Sequence, residues 1–299
     1  MLKRAIWALV VVVCLAMPIT ARAQGDYLDV FIVKVKPDKV ADFQALTKKW
    51  ADANRRFNGN RWLAQETLYG EGNTYTFVSL RQDYAEIEKL SDLGMQAATK
   101  AFGKDAAEKI IRDFENCVVS TRSELRRRRF DLSRKPPTDL ASYAKLIGDS
   151  RVLRTAVVHV RPGHVPQYEA LLKELKEAGE KDPNTQPILV SQGVEGTHGA
   201  TFYITTLRSS LAGFDKNPTI RELLGEERFK HYTETNAEAV EVAESSLNRF
   251  SAELSNPPEE IAKVAADFWQ PKTLSASNAK PKPAPTKGGE VKPGEKPRQ

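Results

Sequence analysis

The stretches VKVKPDKV (residues 33–40) and VHVRPGHV (residues 158–165) decide the fold, because they are one pattern written twice. Valines alternate with polar residues, as in a half-buried strand whose successive side chains point to opposite faces. A proline then stops the strand and an amphipathic run follows. The match continues without a gap through Phe43/Tyr168, Leu46/Leu171 and Trp50/Leu175. Further on, TYTFVSLR (74–81) lies over TFYITTLR (201–208), DLS (131–133) over ELS (253–255), and Pro136 and Pro137 over Pro257 and Pro258. Matched blocks in constant order at a nearly constant offset are the mark of a duplicated unit.

Each copy implies the same elements. A strand over 29–36 ends at Pro37, and Asp38 is placed to cap a helix carrying Val40, Phe43, Leu46 and Trp50 on one stripe. A hairpin follows, 62–68 with 74–80, joined through GEGN (70–73). Its counterpart is 188–194 with 200–207. A longer helix over 105–118 or 227–243 leads to a last strand over 124–130 or 246–250. The order β-α-β-β-α-β is that of a ferredoxin-like unit, which leaves one sheet face bare. The fold expected is α+β: two ferredoxin-like β-α-β-β-α-β units covering each other as an intramolecular pseudo-dimeric α+β barrel.

The strand opening, the hairpin and the element order resemble the dimeric α+β barrel superfamily, whose members include antibiotic-biosynthesis-monooxygenase-like and NIPSNAP-like domains. The resemblance covers about 28–133 and 154–255, and it rests on pattern. It implies cofactor-free oxygenases, haem-degrading enzymes, isomerases or domains without activity, so it leaves the chemistry open. Haem enters only through this resemblance, since no motif specifies a cofactor.

The chain begins with Lys3 and Arg4, an apolar run from Ala5 to Ile19, and Ala21-Arg22-Ala23. This is the pattern of a signal peptide cleaved near Ala23, with the mature protein exported to the periplasm or secreted. The division expected is 1–23 signal peptide, 24–134 first repeat, 135–153 linker with a short helix, 154–256 second repeat, 257–270 short helix and 271–299 disordered tail. The formal net charge of +6 falls to +3 when Lys3, Arg4 and Arg22 leave. The tail from Pro271 has six Lys and one Arg against two Glu, or +5, so the body is 3 − 5 = −2. A mildly acidic body argues against nucleic acid as a partner. The Lys/Pro-rich tail either solubilises the chain or makes weak contact with an anionic envelope surface. Cys117 is the one cysteine after cleavage, so an internal disulfide is excluded, and it reads as a small buried hydrophobe.

Residues that could carry chemistry are few. All four histidines lie in the second copy. His159 alternates off the Val158/Val160 face and either lines the barrel interior or is a hydrogen-bonded edge histidine. His231 has Glu227, Glu234 and Glu238 on nearby turns, which suits a divalent cation or equally a solvated helix face, and no metal is assigned. Arg126 and Arg128 share one face of a run of four arginines, either an anion-binding patch or a charged edge that blocks aggregation. His159, His231, Arg126 and Arg128 are the ligand-binding residues expected, and no catalytic residue is specified. Two functions compete. One is a monomeric exported protein binding a small or anionic molecule in the barrel without catalysis. The other is a cofactor-free or haem-dependent oxygenase-type enzyme with its site in the second repeat.

Overall fold

A computed structural model describes residues 26–90 and 92–270. The signal peptide and tail expectations, on 1–23 and 271–299, lie outside the described residues. In β1 (Tyr27–Val35) the alternation works as read: Val33 and Val35 pack on helices, while Leu28 and Val30 line the barrel interior. Pro37–Lys39 form one tight turn that ends the strand. The turn contains Asp38, so the expected cap is not formed; Lys39 precedes the helix and its side chain pairs with Asp42 instead. The helix α1 (Val40–Arg56) buries Phe43, Thr47 and Ala51. The hairpin β2 (Trp62–Tyr69) and β3 (Thr74–Arg81) turns through Gly70 and Asn73, both at positive φ, the region glycine and asparagine tolerate best. Three helices follow, α2 (Tyr84–Leu90), α3 (Leu93–Phe102) and α4 (Lys104–Cys117), and then β4 (Val118–Arg128).

The helix α5 (Leu140–Gly148) starts at a capping box in which Asp139 accepts from the Ser142 amide. The second half then runs β5 (Val152–Val160), α6 (Val165–Lys181), β6 (Ile188–Glu195), β7 (Ala200–Arg208), α7 (Ile220–Ala239) and β8 (Val240–Asn256). The last described elements are α8 (Glu259–Val264) and α9 (Ala266–Trp269). Both β4 and β8 begin about six residues earlier than the sequence suggested. Their first residues are flanked by one partner only, β1 or β5, and are mostly exposed, valines such as Val119 and Val242 included, so they give no sustained apolar alternation.

The eight strands close into one antiparallel barrel in the order β1-β3-β2-β8-β5-β7-β6-β4. The first half contributes the run β4-β1-β3-β2 and the second the run β8-β5-β7-β6. They join at two seams. At one, Gln65 lies opposite Phe250 and Glu66 opposite Arg249; at the other, Arg127 lies opposite Gln192 and Arg128 opposite Ser191. The halves thus meet edge to edge through hydrogen-bonded strands, and β1 pairs with β3 and β4, not with β5. The reading of the arginine run as a free charged edge is corrected here, because over Leu125–Arg128 β4 is paired on both sides. Trp62 clips one seam, donating from Nε1 to the Leu254 carbonyl at 2.7 Å. Arg129 clips the other, with Asp131 on its own half and Glu169 and Gln192 on the second.

One end of the barrel is plugged. Tyr143, Ala144 and Ile147 of α5, Ile261 and Ala262 of α8, and Trp269 of α9 pack with Leu63, Leu153, Leu207 and Phe250. Close approach of the two plug helices needs Gly148, where a Cβ would collide with Val264.

Candidate functional site

A cleft of about 760 Å³ opens in the first half, between the outer face of the sheet and helices α1, α3 and α4. Its walls are aromatic and aliphatic: Phe31, Trp50, Trp62, Phe77, Phe114 and Ile110. These residues have the helical and strand spacing of a core, as the stripe carrying Trp50 reads in the sequence. Trp62 is buried, but Trp50 is half-buried and borders open space. Cys117, at the foot of α4, is buried as expected, and burial pushes its thiol pKa up. It is not among the lining residues.

Few polar groups enter the cleft. Asp29 and Ser79, directly paired across β1 and β3, stand with Asn60 at its polar end. Arg81 holds Asp29 from Nε at 3.2 Å and from Nη2 at 3.1 Å, both on Oδ2. Oδ1 takes neither of these bonds. Arg81 is itself buried, and its Nη2 also donates to Asn60 Oδ1 at 3.1 Å. Asn60 is fixed in turn by its neighbours: its amide donates to Asn54 Oδ1, and its carbonyl accepts from Asn256 of β8 at 2.6 Å. The geometry is a carboxylate oriented by Arg81 in a cleft with largely aromatic and aliphatic walls, an arrangement suited to taking a proton from a bound apolar molecule.

The matching positions of the second half differ. By the offset that aligns Val33 with Val158, Arg154 stands at the place of Asp29, and Arg208 at that of Arg81 by the match of 74–81 with 201–208. Arg208 rests near the Phe214 ring and binds Asn217 Oδ1, so no carboxylate replaces Asp29.

The residues singled out from sequence fall elsewhere and do not form one site. His159 is on β5 and meets Thr201 Oγ1 through Nδ1 at 3.0 Å. His231 is exposed on α7, and its neighbours Glu234 and Glu238 engage Lys230 and Gln167. Among the described residues no three His, Cys, Asp or Glu are grouped to hold a metal ion. Arg126 and Arg128 do come together, facing a space of about 100 Å³ inside the barrel. Arg126 stacks on Tyr203 at 3.5 Å and pairs with Glu124 at 2.6 Å, while Arg128 lies over Phe130 and Tyr143. Burial pushes the Tyr203 phenol pKa up to about 12, against the opposing pull of Arg126. Burial likewise raises Tyr75, Tyr143, Tyr168 and Tyr232. For Tyr203 the folded state keeps its proton above the unfolded pKa, so the stability this contributes is intact below pH 10 and is lost as pH rises from about 10 to 12. An alkaline titration followed at 295 nm is expected to show these five tyrosines ionising late, together with unfolding. Normal titration of all tyrosines near pH 10 in the folded protein would contradict it.

Haem does not fit the cleft. Its lining has no histidine, cysteine or tyrosine to ligate iron, and its one sulfur, that of Met95, belongs to a residue type that ligates haem together with a histidine, which the lining lacks. It carries the acids Asp29 and Glu115 and no lysine or arginine to meet propionates. The interior space beside Arg126 is too small for a porphyrin.

No family model matches the chain, and no curated protein matches it. Solved structures do resemble it. A provisionally described monooxygenase from Lactobacillus acidophilus aligns at 9% identity over 78% of this chain and 98% of its own, with a TM-score of 0.47. An anthrone oxidase-like protein aligns at 12% identity over 77% and 93%, with a TM-score of 0.48. A chlorite dismutase from Candidatus Nitrospira defluvii, solved with imidazole, aligns at 11% identity over 83% and 96%, with a TM-score of 0.43. These neighbours have the dimeric α+β barrel fold expected from the sequence. The expectation of binding without catalysis is corrected at this point, since the neighbours found are described as oxygenase, oxidase and dismutase.

Proposed function

We propose that this chain is a cofactor-free, oxygenase-type enzyme acting on a planar apolar substrate in the cleft of its first half, with Asp29 as general base. The observation that carries the reading is the Asp29 carboxylate, held by Arg81 on one oxygen and lining an aromatic-walled cleft. The apolar walls favour a neutral, acidic C–H or O–H substrate over a charged one. Phe31, Phe77, Trp50 and Phe114 would hold its rings, and Ser79 and Asn60 stand where a carbonyl oxygen can be bound. The test uses anthrone, whose methylene is acidified by two rings and a carbonyl. Oxygen uptake should match the formation of anthraquinone and water, one O₂ per anthrone. It should proceed without haem or added metal and be unaffected by a chelator. Absence of turnover above the buffer rate, or a rate that appears only with added haem, refutes the reading.

The two halves are, on the same proposal, tandem NIPSNAP-like copies of one ferredoxin-like unit closed into an intramolecular pseudo-dimer. The strand runs β4-β1-β3-β2 and β8-β5-β7-β6 support this, because they are identical when the halves are superposed in order. We further propose that the exported chain, cleaved near Ala23, is a monomer. Both seams are satisfied within the chain, and a short connection keeps one half at high effective concentration for the other. Light scattering on the eluted mature chain should give one chain per particle, whereas residues 24–134 alone should dimerise or aggregate. An obligate dimer of the whole chain would mean that seams form between chains.

A further inference from the structure

We infer that the barrel interior holds a second site, separate from the cleft, for a small oxyanion of the carboxylate, bicarbonate or nitrate kind. The space of about 100 Å³ is lined by all eight strands and by α5. This is room for several waters, or for one ion of a few heavy atoms. It lies above the plug and on the opposite side of the sheet from the cleft: Leu28 and Val30 of β1 line it, whereas Asp29 and Phe31 line the cleft.

The lining has a charge pattern that selects for an anion. It contains two guanidinium groups, Arg126 and Arg128, and no carboxylate. Two acids stand outside the lining: Asp26 lies close enough to Arg128 to act on its charge, and Glu124, nearly fully buried, pairs with Arg122 through Oε1 at 2.8 Å and takes both of its contacts from Arg126 on Oε2, from Nε at 2.8 Å and Nη2 at 2.6 Å. Those bonds occupy one edge of the guanidinium and leave Nη1 directed away from Glu124. The Tyr203 ring beneath holds the group by its face, which fixes the plane without using in-plane N–H donors. Tyr203 also donates to Glu124 at 2.8 Å, so the acid is held in turn. Arg128, lying over Phe130 and Tyr143, adds positive potential to the same space, and burial lowers its pKa without removing its charge at neutral pH.

The remaining polar lining is neutral and able to donate. Thr155 and Thr205 are joined hydroxyl to hydroxyl at 3.2 Å, and Gln65, Thr76 and Ser191 stand on other strands of the wall. A planar oxyanion can take a fork from a guanidinium and a further bond from a hydroxyl, the charge-assisted pairing that guanidinium geometry favours. Low local dielectric strengthens that attraction relative to a surface site. Half-exposed Gln65, Thr76 and Thr155 show that water reaches this interior, so an ion can enter.

Calorimetric titration of the full mature chain with sodium formate, and separately with sodium nitrate, at fixed ionic strength tests the site. One saturable event per chain is expected. Arg126→Met should weaken it by roughly tenfold or more, the order lost with a charge-assisted bond. Should that variant fail to fold, Thr205→Val decides: it keeps both guanidinium groups and should still weaken formate severalfold. Asp29→Asn, which alters the cleft, should leave formate binding unchanged, so that this site and the proposed enzyme can fail independently. Non-saturable heats in the parent, unchanged affinity in Thr205→Val, or loss of binding in Asp29→Asn would each overturn the assignment.

Discussion

Replacing Trp269 with alanine is expected to cost about 3–5 kcal/mol of stability, the range for emptying a large aromatic from a core. Trp269 is 1% exposed, at the end of the last described helix, and it closes the plug. Its ring meets Phe250 edge-on at 5.4 Å and Phe268 at 4.9 Å, and its Nε1 donates to the Gly148 carbonyl at 2.9 Å. That bond ties α9 to α5, 121 residues away. The alanine variant loses the packing and one of two side-chain bonds to the Gly148 carbonyl, which keeps the bond from Arg151 at 2.7 Å. A fall in melting temperature of about 10 °C is expected for a chain of this size. A shift below 2 °C would show that α9 rests on the barrel without sealing it. Trp269→Phe should recover most of the packing and none of the hydrogen bond, which separates the two contributions.

The second large effect is on turnover. Asp29→Asn keeps the shape of the side chain and removes the base, so the anthrone-dependent rate should fall by about 10²–10⁴-fold. Arg81 retains Asn60 Oδ1 and the Leu80 carbonyl at 3.2 Å, so the fold should survive. Oxygen uptake and circular dichroism on the same sample check both statements. A rate within threefold of the parent would remove Asp29 from the chemistry and shift attention to Glu115, the other acid on the cleft wall. Ser79→Ala should act differently, raising KM more than it lowers kcat, because it touches bound substrate and takes no proton.

Much of the barrel was legible because strand alternation is local. Val33, Val35, Val158 and Val160 announce their strands, and the hairpin after each helix is marked by glycines at 70, 72, 196 and 199. The repeat of Pro136 and Pro257 flagged α5 and α8, although that both belong to one plug needed the packing of Gly148 on Val264. What stayed hidden depended on partners distant in sequence. Four successive arginines look like an edge until β6 is seen alongside them. A stripe such as Leu46, Trp50, Ile110 and Phe114 has the same period whether it meets a sheet or a void, so the cleft left no trace. Asp29 was the available signal: a carboxylate on the same strand face as Phe31 and Val33, with Arg81 closing the matching strand. The histidines drew notice for their rarity, yet they sit at separate points on the second half.

The difference between Asp29 with Arg81 and Arg154 with Arg208 sets a stoichiometry. A barrel assembled from two identical chains must present every feature twice, and any substitution that improves one cleft alters the other. In this chain the halves are covalently joined and independently encoded. One can therefore carry a carboxylate in a wide cleft while its counterpart carries two guanidinium groups on the matching strands. Titration of the cleft should saturate at one molecule per barrel, and inhibitors shaped to fill it should meet no second, weaker copy of the same surface.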